Sequence, residues 1–359
     1  MNKADCLLAV TSALLALPLI GGCGEGVSAP IAEVVDSLWI DTKPSVKTSE
    51  WIVDISDQDS DVYIYFDETR RSLNIANEDH NIVLSSGEID DFYHAEISNV
   101  GDEISFFYAM AEDRKDYITY GVVEADSLHR PTLTRRFSMP WSGIVHRRHL
   151  SNGSIYLNLK DLEVIGEDKS NMVSVLSVYD GAVEYPGHIG RMPIALENAT
   201  YYISSDATQK ISNVYGHKNN TFQVTDLNVD SFSLINGYSQ NQIDYVFFGY
   251  RGGDPSFKII LSQIDERNAV VNSAPFSTSE ILRTSVGVCG STSFIIGLES
   301  VNSQLGNLVL IYNSENVWHK VNIGPAHDAV IDHSNDYPII KSYTNGKEGL
   351  EVTEHNVMC

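Results

Sequence analysis

Seven apolar runs recur along the chain at nearly constant spacing, and this repetition constrains the fold more than any other feature. The runs begin at residues 62, 104, 154, 200, 245, 293 and 337, so successive runs are 42, 50, 46, 45, 48 and 44 residues apart. A short apolar run precedes each of them, and further short runs follow. Four strands in about 45 residues is the size of one propeller blade.

Helix-forming periodicity does not compete with this interpretation, because no stretch of a dozen residues repeats its apolar positions every three to four residues. The sequence therefore predicts an all-β fold, a seven-bladed β-propeller of four-stranded antiparallel blades. We expect it to occupy residues 33–359 as one domain.

The last repeat contains three strand-like runs before Cys359, so its fourth, outer strand is missing. A run near the N-terminus, VVDSLWIDT, places Trp39 as Trp318 is placed in the outer strand of the sixth repeat. An open sheet edge is prone to aggregation, so a closing strand is advantageous. We predict that the N-terminal strand completes the last blade.

The first residues have the features of an export signal. An apolar run of 15 residues, Cys6 to Ile20, follows Lys3 and is shorter than the ~20 residues that a membrane helix needs. Ile20-Gly21-Gly22-Cys23 resembles the bacterial lipobox. The resemblance implies a lipoprotein signal peptide at 1–22, a lipidated Cys23, a tether at 23–32 and residence in the cell envelope at the outer membrane. An ordinary cleaved signal is the alternative.

Two cysteines remain, Cys289 and Cys359, once Cys6 is removed with the signal and Cys23 is acylated. An even pair in an oxidising compartment favours a structural disulfide. Two unpaired thiols are the alternative, since sequence does not determine the distance between them.

Residues 330–356 carry a turn with Asp and Asn, then an apolar strand ending in Tyr. They resemble the repeats of secreted bacterial propellers related to the sialidase-like superfamily. The Ser-x-Asp-x-Gly-x-Thr-Trp box of true sialidases is absent from the sequence. The resemblance therefore implies the fold and gives no support for sialidase activity.

Common catalytic and metal-binding motifs are also absent from the mature sequence, including His-Glu-x-x-His, Cys-x-x-Cys, Gly-x-Ser-x-Gly and the P-loop. Carboxylates alternate from Asp57 to Asp61, but Val62 stands where an EF-hand needs Gly. We interpret this segment as a solvated acidic hairpin turn, with a weak Ca²⁺ site as the alternative. No metal and no cofactor are expected.

Basic residues concentrate on one predicted rim of the propeller, at the beginnings of the innermost strands. Guanidinium groups that converge on a channel can bind carboxylate or sulfate through two parallel hydrogen bonds. Polar loops with ordinary surface ion pairs are the alternative. The candidate ligand-binding residues are His94, His146, Arg147, Arg148, Arg191, Arg283 and His327.

The net charge of −24 disfavours nucleic acid and anionic lipid surfaces as partners, because 48 Asp and Glu outnumber 24 Lys and Arg. Membrane contact is expected only through the lipid anchor. We favour a non-enzymatic, envelope-anchored propeller that binds a protein or an anionic glycan at the channel rim. The alternative is a polysaccharide lyase or glycosidase acting on an acidic polysaccharide, with catalytic residues that the sequence does not identify.

Overall fold

The computed structural model describes residues 38–55, 62–77, 81–100, 103–112, 115–125, 131–140, 149–151, 153–158, 173–184, 190–206, 211–251, 256–299, 305–314, 316–333, 337–346 and 349–359. These residues form thirty strands in seven antiparallel sheets. In the ranges given, no helix is long and apolar enough to cross a membrane. The seven-bladed propeller predicted from the repeat spacing is confirmed.

Two short strands come first, β1 (Trp39–Thr42) and β2 (Val46–Lys47). Blade I then contains β3 (Glu50–Ile55), β4 (Val62–Asp67), β5 (Ser72–Asn77) and β6 (Ile82–Ser85). Blade II contains β7 (Asp91–Val100), β8 (Glu103–Glu112), β9 (Lys115–Ala125) and β10 (Pro131–Pro140). Blade III contains β11 (His149–Ser151), β12 (Ser154–Asn158), β13 (Val173–Ser177) and β14 (Val183–Glu184).

Blade IV contains β15 (Arg191–Ala195), β16 (Thr200–Asp206), β17 (Ile211–His217) and β18 (Thr221–Gln223). Blade V contains β19 (Phe232–Gln240), β20 (Ile243–Arg251), β21 (Phe257–Asp265), β22 (Val270–Asn272) and β23 (Phe276–Thr278). Blade VI contains β24 (Ile281–Cys289), β25 (Thr292–Glu299), β26 (Gly306–Ser314) and β27 (Val317–Ala326). Blade VII contains β28 (Asp328–Asp332), β29 (Ile339–Gly346) and β30 (Gly349–Met358).

The seven apolar runs of the sequence are the second strands of the seven blades. A second strand is covered on both faces by the neighbouring blades, so it has no solvent face that would require polar residues. In β25 every residue is buried, whereas burial varies from residue to residue in the outer strand β27. This difference explains why the second strands dominate the sequence pattern.

The ring closes as predicted, with β1 as the fourth strand of blade VII. Trp39 pairs with Met358 and Thr42 with His355 in an antiparallel register along β30. The Thr42 hydroxyl also lies 2.9 Å from His355 Nδ1, and β2 pairs with β30 further along. The N-terminal strand therefore covers an edge of β30 that would otherwise be unpaired.

Cys289 and Cys359 form a disulfide in the structure. Cys289 is the last residue of β24 and is buried, and Cys359 directly follows β30. The bond therefore joins the end of blade VII covalently to the innermost strand of blade VI.

The innermost strands β3, β7, β11, β15, β19, β24 and β28 contact one another around the hub. They run in one direction because every blade repeats the same up-and-down order. We call the edge where they begin, marked by Arg191 and Asp328, the start rim. The edge where they end, marked by Cys289 and Asp332, is the end rim.

Five of these innermost strands contain a register shift near their beginning. The shifts occur in β3, β7, β15, β19 and β24. In β24 the extra residue Arg283 has a φ of 48°, and in β15 Met192 has a φ of 55°, both in the left-handed region. A bulge adds a residue to one strand and changes which side chains face the channel.

Candidate functional site

A cavity of about 240 Å³ lies at the hub, between innermost strands from both sides of the ring. Its walls alternate apolar side chains, such as Ile55, Ile97 and Val330, with polar ones. This combination of apolar walls and a few hydrogen-bonding groups is typical of small-molecule sites. The polar lining residues are Asp54, His94, Glu96, Ser98, Asn236, Tyr238, Thr284, Ser285 and His333.

His94 and Glu96 contact each other directly in this wall. His94 Nε2 lies 2.6 Å from Glu96 Oε1, and the other Glu96 oxygen, Oε2, accepts a 2.6 Å hydrogen bond from the Leu150 backbone N–H. The carboxylate thus bridges blade II to blade III and holds the imidazole at the same time. The His94 ring also packs against Phe107, with ring centroids 5.5 Å apart.

Two further side chains link neighbouring blades along the cavity wall. Asp54 Oδ2 accepts a 2.8 Å hydrogen bond from the Ile97 backbone N–H, which joins blade I to blade II. Asn236 donates from Nδ2 to the Thr284 carbonyl at 2.8 Å, which joins blade V to blade VI. Because these polar groups are held between blades, the cavity wall is pre-organised rather than formed by freely rotating side chains.

One wall of the cavity contains an aromatic stack between side chains from two non-adjacent blades. Tyr238 of blade V and His333, which directly follows β28 in blade VII, stack with ring centroids 5.4 Å apart and planes 24° apart. Blade VI lies between the two blades in the ring. The stack therefore spans the inner end of blade VI.

The start-rim residues proposed from the sequence lie close to the hub but bind separate neighbours. Arg191 Nη2 donates to the Ser231 hydroxyl at 3.1 Å. Arg283 Nη1 donates to the His327 carbonyl at 2.8 Å and lies 3.4 Å from Asp328 Oδ2. These contacts use part of each guanidinium to join adjacent blades.

Asp328 has an environment that opposes its charge. Burial raises the pKa of its carboxyl above the ordinary value, while the Arg283 guanidinium acts in the opposite direction. The Arg283 side chain itself is half exposed, so it can contact both this carboxylate and a molecule at the rim.

Among the proposed residues, the structure places His94 in the cavity wall, and it places Arg191, Arg283 and His327 at the start rim. Four of the sequence-based candidates, Cys23, His146, Arg147 and Arg148, lie outside the described residues, as does the acidic segment 57–61. The described part of β11 begins at His149. Within the described chain, no group of three or more His, Cys, Asp or Glu is arranged to hold a metal ion.

Sequence reasoning missed most of the cavity wall, including Asp54, Glu96, Asn236, Tyr238 and His333. The bulges are the main reason. Asp54 and His94 each directly follow a register shift, between Ile52 and Asp54 and between Phe92 and His94. Simple alternation along the strand therefore does not predict which of their side chains face the hub.

The chain matches no protein-family model and no curated protein. Among solved structures, a virginiamycin B lyase from Staphylococcus aureus is similar over 89% of this chain and 99% of its own, with a TM-score of 0.50 and 11% identity. An acylaminoacyl peptidase from Pyrococcus horikoshii has a TM-score of 0.43 and 10% identity, over 79% of this chain and 48% of its own. A sialidase from Trypanosoma rangeli has a TM-score of 0.41 and 8% identity, over 79% of this chain and 56% of its own. At such low identity the likeness to the lyase concerns the propeller fold alone.

Proposed function

We propose that the protein is an envelope-anchored binding propeller that recognises an acidic glycan, with the polymer at the start rim and one sugar unit in the hub cavity. The hub cavity is the observation that carries this proposal. Its volume of about 240 Å³ is below the ~300 to 1,000 Å³ of typical drug-sized sites, which favours one ring over a longer segment.

The polar groups of the site match the two kinds of group on a uronate or sulfated sugar. Inside the cavity, Asp54 and Glu96 supply carboxylate oxygens, which accept hydrogen bonds from sugar hydroxyls. At the start rim, the exposed guanidinium of Arg191 and the half-exposed one of Arg283 can bind a carboxylate or sulfate. Neither arginine lines the cavity, so a ligand that extends from the start rim to the hub, with hydroxyls on its inner ring and an anionic substituent directed outward, would contact both sets.

Anchoring in the envelope is the second part of the proposal. It is supported by the apolar run Cys6 to Ile20 and the lipobox-like Ile20 to Cys23. Mass spectrometry of the protein purified from bacterial membranes tests it directly. An acyl group on an N-terminal Cys23 is expected, and an unmodified N-terminus would contradict the anchoring.

The glycan proposal is tested by calorimetric titration with uronate-bearing, sulfated and neutral oligosaccharides. Arg283→Ala should weaken binding of the acidic sugars by about tenfold, because one charge-assisted hydrogen bond is lost. Arg283→Lys should not restore affinity, since lysine lacks the planar fork. Arg267→Ala is the matched control, because this highly exposed arginine lies in the turn between β21 and β22 at the opposite rim.

Equal affinity of wild type and Arg283→Ala for every acidic sugar would contradict the rim contact. Binding of acidic peptides with no binding of any sugar would instead identify a protein partner. Both conclusions require that Arg267→Ala binds the ligand in question, the acidic sugar or the acidic peptide, with wild-type affinity.

A polysaccharide lyase is the second candidate, favoured by the His94 and Glu96 pair. If Glu96 accepts the Nε2–H of His94, Nδ1 of the same ring is the unprotonated nitrogen and can act as a general base. A lyase would release an unsaturated, ultraviolet-absorbing product from a uronate polymer. Product formation that is lost in His94→Gln would favour the enzyme, whereas binding without product would favour the binding module.

A further inference from the structure

The end rim, opposite the rim assigned to the ligand, exposes more of the large apolar side chains. In an up-and-down blade, second and fourth strands begin at the end rim, and first and third strands begin at the start rim. Seven large apolar side chains are exposed in the described ranges, and two of them, Val46 and Leu282, lie at the start rim. The other five lie at the end rim: Trp39, Ile82, Val271, Val317 and Tyr337.

Three end-rim side chains form one row across blade VII. Trp39 pairs directly with Met358. On the other side of β30, Ile339 pairs with Asn356 and the Val357 backbone N–H donates to the Pro338 carbonyl, so the register continues to Tyr337 beside Met358. Residues directly opposite each other in antiparallel strands project from the same face.

Trp39 is 58% exposed and Tyr337 is 45% exposed, with Met358 partly exposed between them. The opposite face of β1 and β30 packs in the core. Val357 is buried in a cluster with Leu38 and Cys289, which belongs to the contact between blades VI and VII. The Trp39, Met358 and Tyr337 row is therefore an apolar surface whose reverse side is fixed by the core.

The short sequence distance between this row and Cys23 indicates what covers it. The described chain begins with Leu38, directly before Trp39, and Cys23 lies fifteen residues upstream. Fifteen residues reach at most about 50 Å when fully extended. If Cys23 carries the anchor, Trp39, the first residue of the row, thus lies within about 55 Å of the membrane.

We propose that the row of Trp39, Met358 and Tyr337 rests in the interfacial layer of the membrane that holds the anchor, so that the start rim faces away from the lipid. This inference rests on the anchoring part of the proposed function. Trp and Tyr are the side chains enriched at membrane interfaces, where an apolar ring with a polar group is favoured. Since the chain has a net charge of −24, apolar contact rather than attraction to anionic headgroups holds the row there.

The test measures tryptophan fluorescence of the full acylated protein on phosphatidylcholine vesicles that contain phosphatidylcholine with brominated acyl chains. Bromine quenches only tryptophans at the bilayer. Quenching is expected in wild type and is expected to fall sharply in Trp39→Phe. Trp318 lies at the same rim, but it stacks on Phe276 and donates to the Ala274 carbonyl, so it accounts only for the quenching that remains. Trp51→Phe is the control and should keep the wild-type quenching, because Trp51 is the second residue of β3 and lies near the start rim.

Two further variants in the Trp39→Phe background move the reporter without removing a core side chain. Tyr337→Trp should restore quenching, because it places an indole in the same row. Val46→Trp should not, because Val46 is more exposed than Tyr337 but pairs with Val352 near the start rim. Equal quenching at positions 337 and 46 would overturn the proposed orientation.

The outcomes distinguish the contact of the row with lipid from the lipid anchor. If the protein sediments with vesicles but Trp39 is not quenched, the contact of the row is overturned and the anchor is not. Protein without an acyl group that stays in the supernatant would overturn both. A Trp39 that is shielded from aqueous acrylamide in native envelopes, yet not quenched by brominated lipid, would indicate a covering protein and would also overturn the lipid contact.

Discussion

The disulfide between Cys289 and Cys359 allows the most quantitative prediction. Cys359→Ser is the suitable perturbation, because Cys359 is exposed while Cys289 is buried in the core between blades VI and VII. The substitution breaks the covalent link and leaves the packing of Cys289 in place. The expected loss of stability therefore reports the link itself rather than a cavity.

The magnitude follows from the 70 residues that separate the two cysteines. In the chain-entropy treatment, a cross-link that closes a loop of this length lowers the entropy of the unfolded chain enough to stabilise the fold by about 4 kcal/mol. Direct removal of native disulfides typically costs about 2 to 5 kcal/mol, so the expectation lies within the usual range.

Urea unfolding followed by intrinsic fluorescence, with and without reductant, measures this loss. Cys359→Ser without reductant should unfold at the same urea concentration as wild type with reductant, and reductant should not change the variant further. A midpoint in Cys359→Ser equal to that of oxidised wild type would refute the reasoning. So would a wild-type midpoint that does not respond to reductant, since it would mean that the bond does not constrain the unfolded chain.

Three further predictions concern the last blade. Deleting residues 33–42 removes the partner of β30 and should cause aggregation, measured by analytical ultracentrifugation, and an unchanged monomer with wild-type melting would contradict strand closure. Burial lowers the pKa of His355, so the unfolded chain binds more protons than the folded chain as pH falls below about 6.5, and stability should fall with pH there. His355→Gln should flatten that slope in chemical denaturation, and an unchanged slope would count against burial as the cause. Lys341→Met removes a cation that lies 2.8 Å from the buried Asp332 carboxylate in wild type and should cost about 3 kcal/mol. Most of this loss should be recovered in the double variant with Asp332→Leu.

The blade pattern was predictable because burial of second strands is a local property. Residues of β8 or β25 are covered on both faces in any propeller, so they form apolar runs whose spacing counts the blades. The closing role of the Trp39 strand was predictable for a similar reason. The sequence shows that the last repeat has only three strand-like runs. It also shows that the Trp39 run resembles the outer strand of the sixth repeat.

The hub was not predictable to the same extent. His94 was a sequence candidate, but its partner Glu96 and the neighbouring Asp54 were not, because bulges in β7 and β3 change the side-chain parity of these strands. A bulge depends on how two strands pair, and a strand pattern read along one chain segment does not contain that information.

The number of blades, the closing strand and the two cysteines available for a bond could be inferred from the sequence, because each depends on the order of apolar, polar and Cys residues along the chain. The polar groups that meet at the hub could be identified only in the folded protein. The stack of Tyr238 on His333 joins residues 95 positions apart from blades that are not neighbours, and Arg283 meets Asp328 across a blade boundary. Such contacts arise from the closure of the ring, which brings together two segments although the sequence of neither one indicates that they are neighbours.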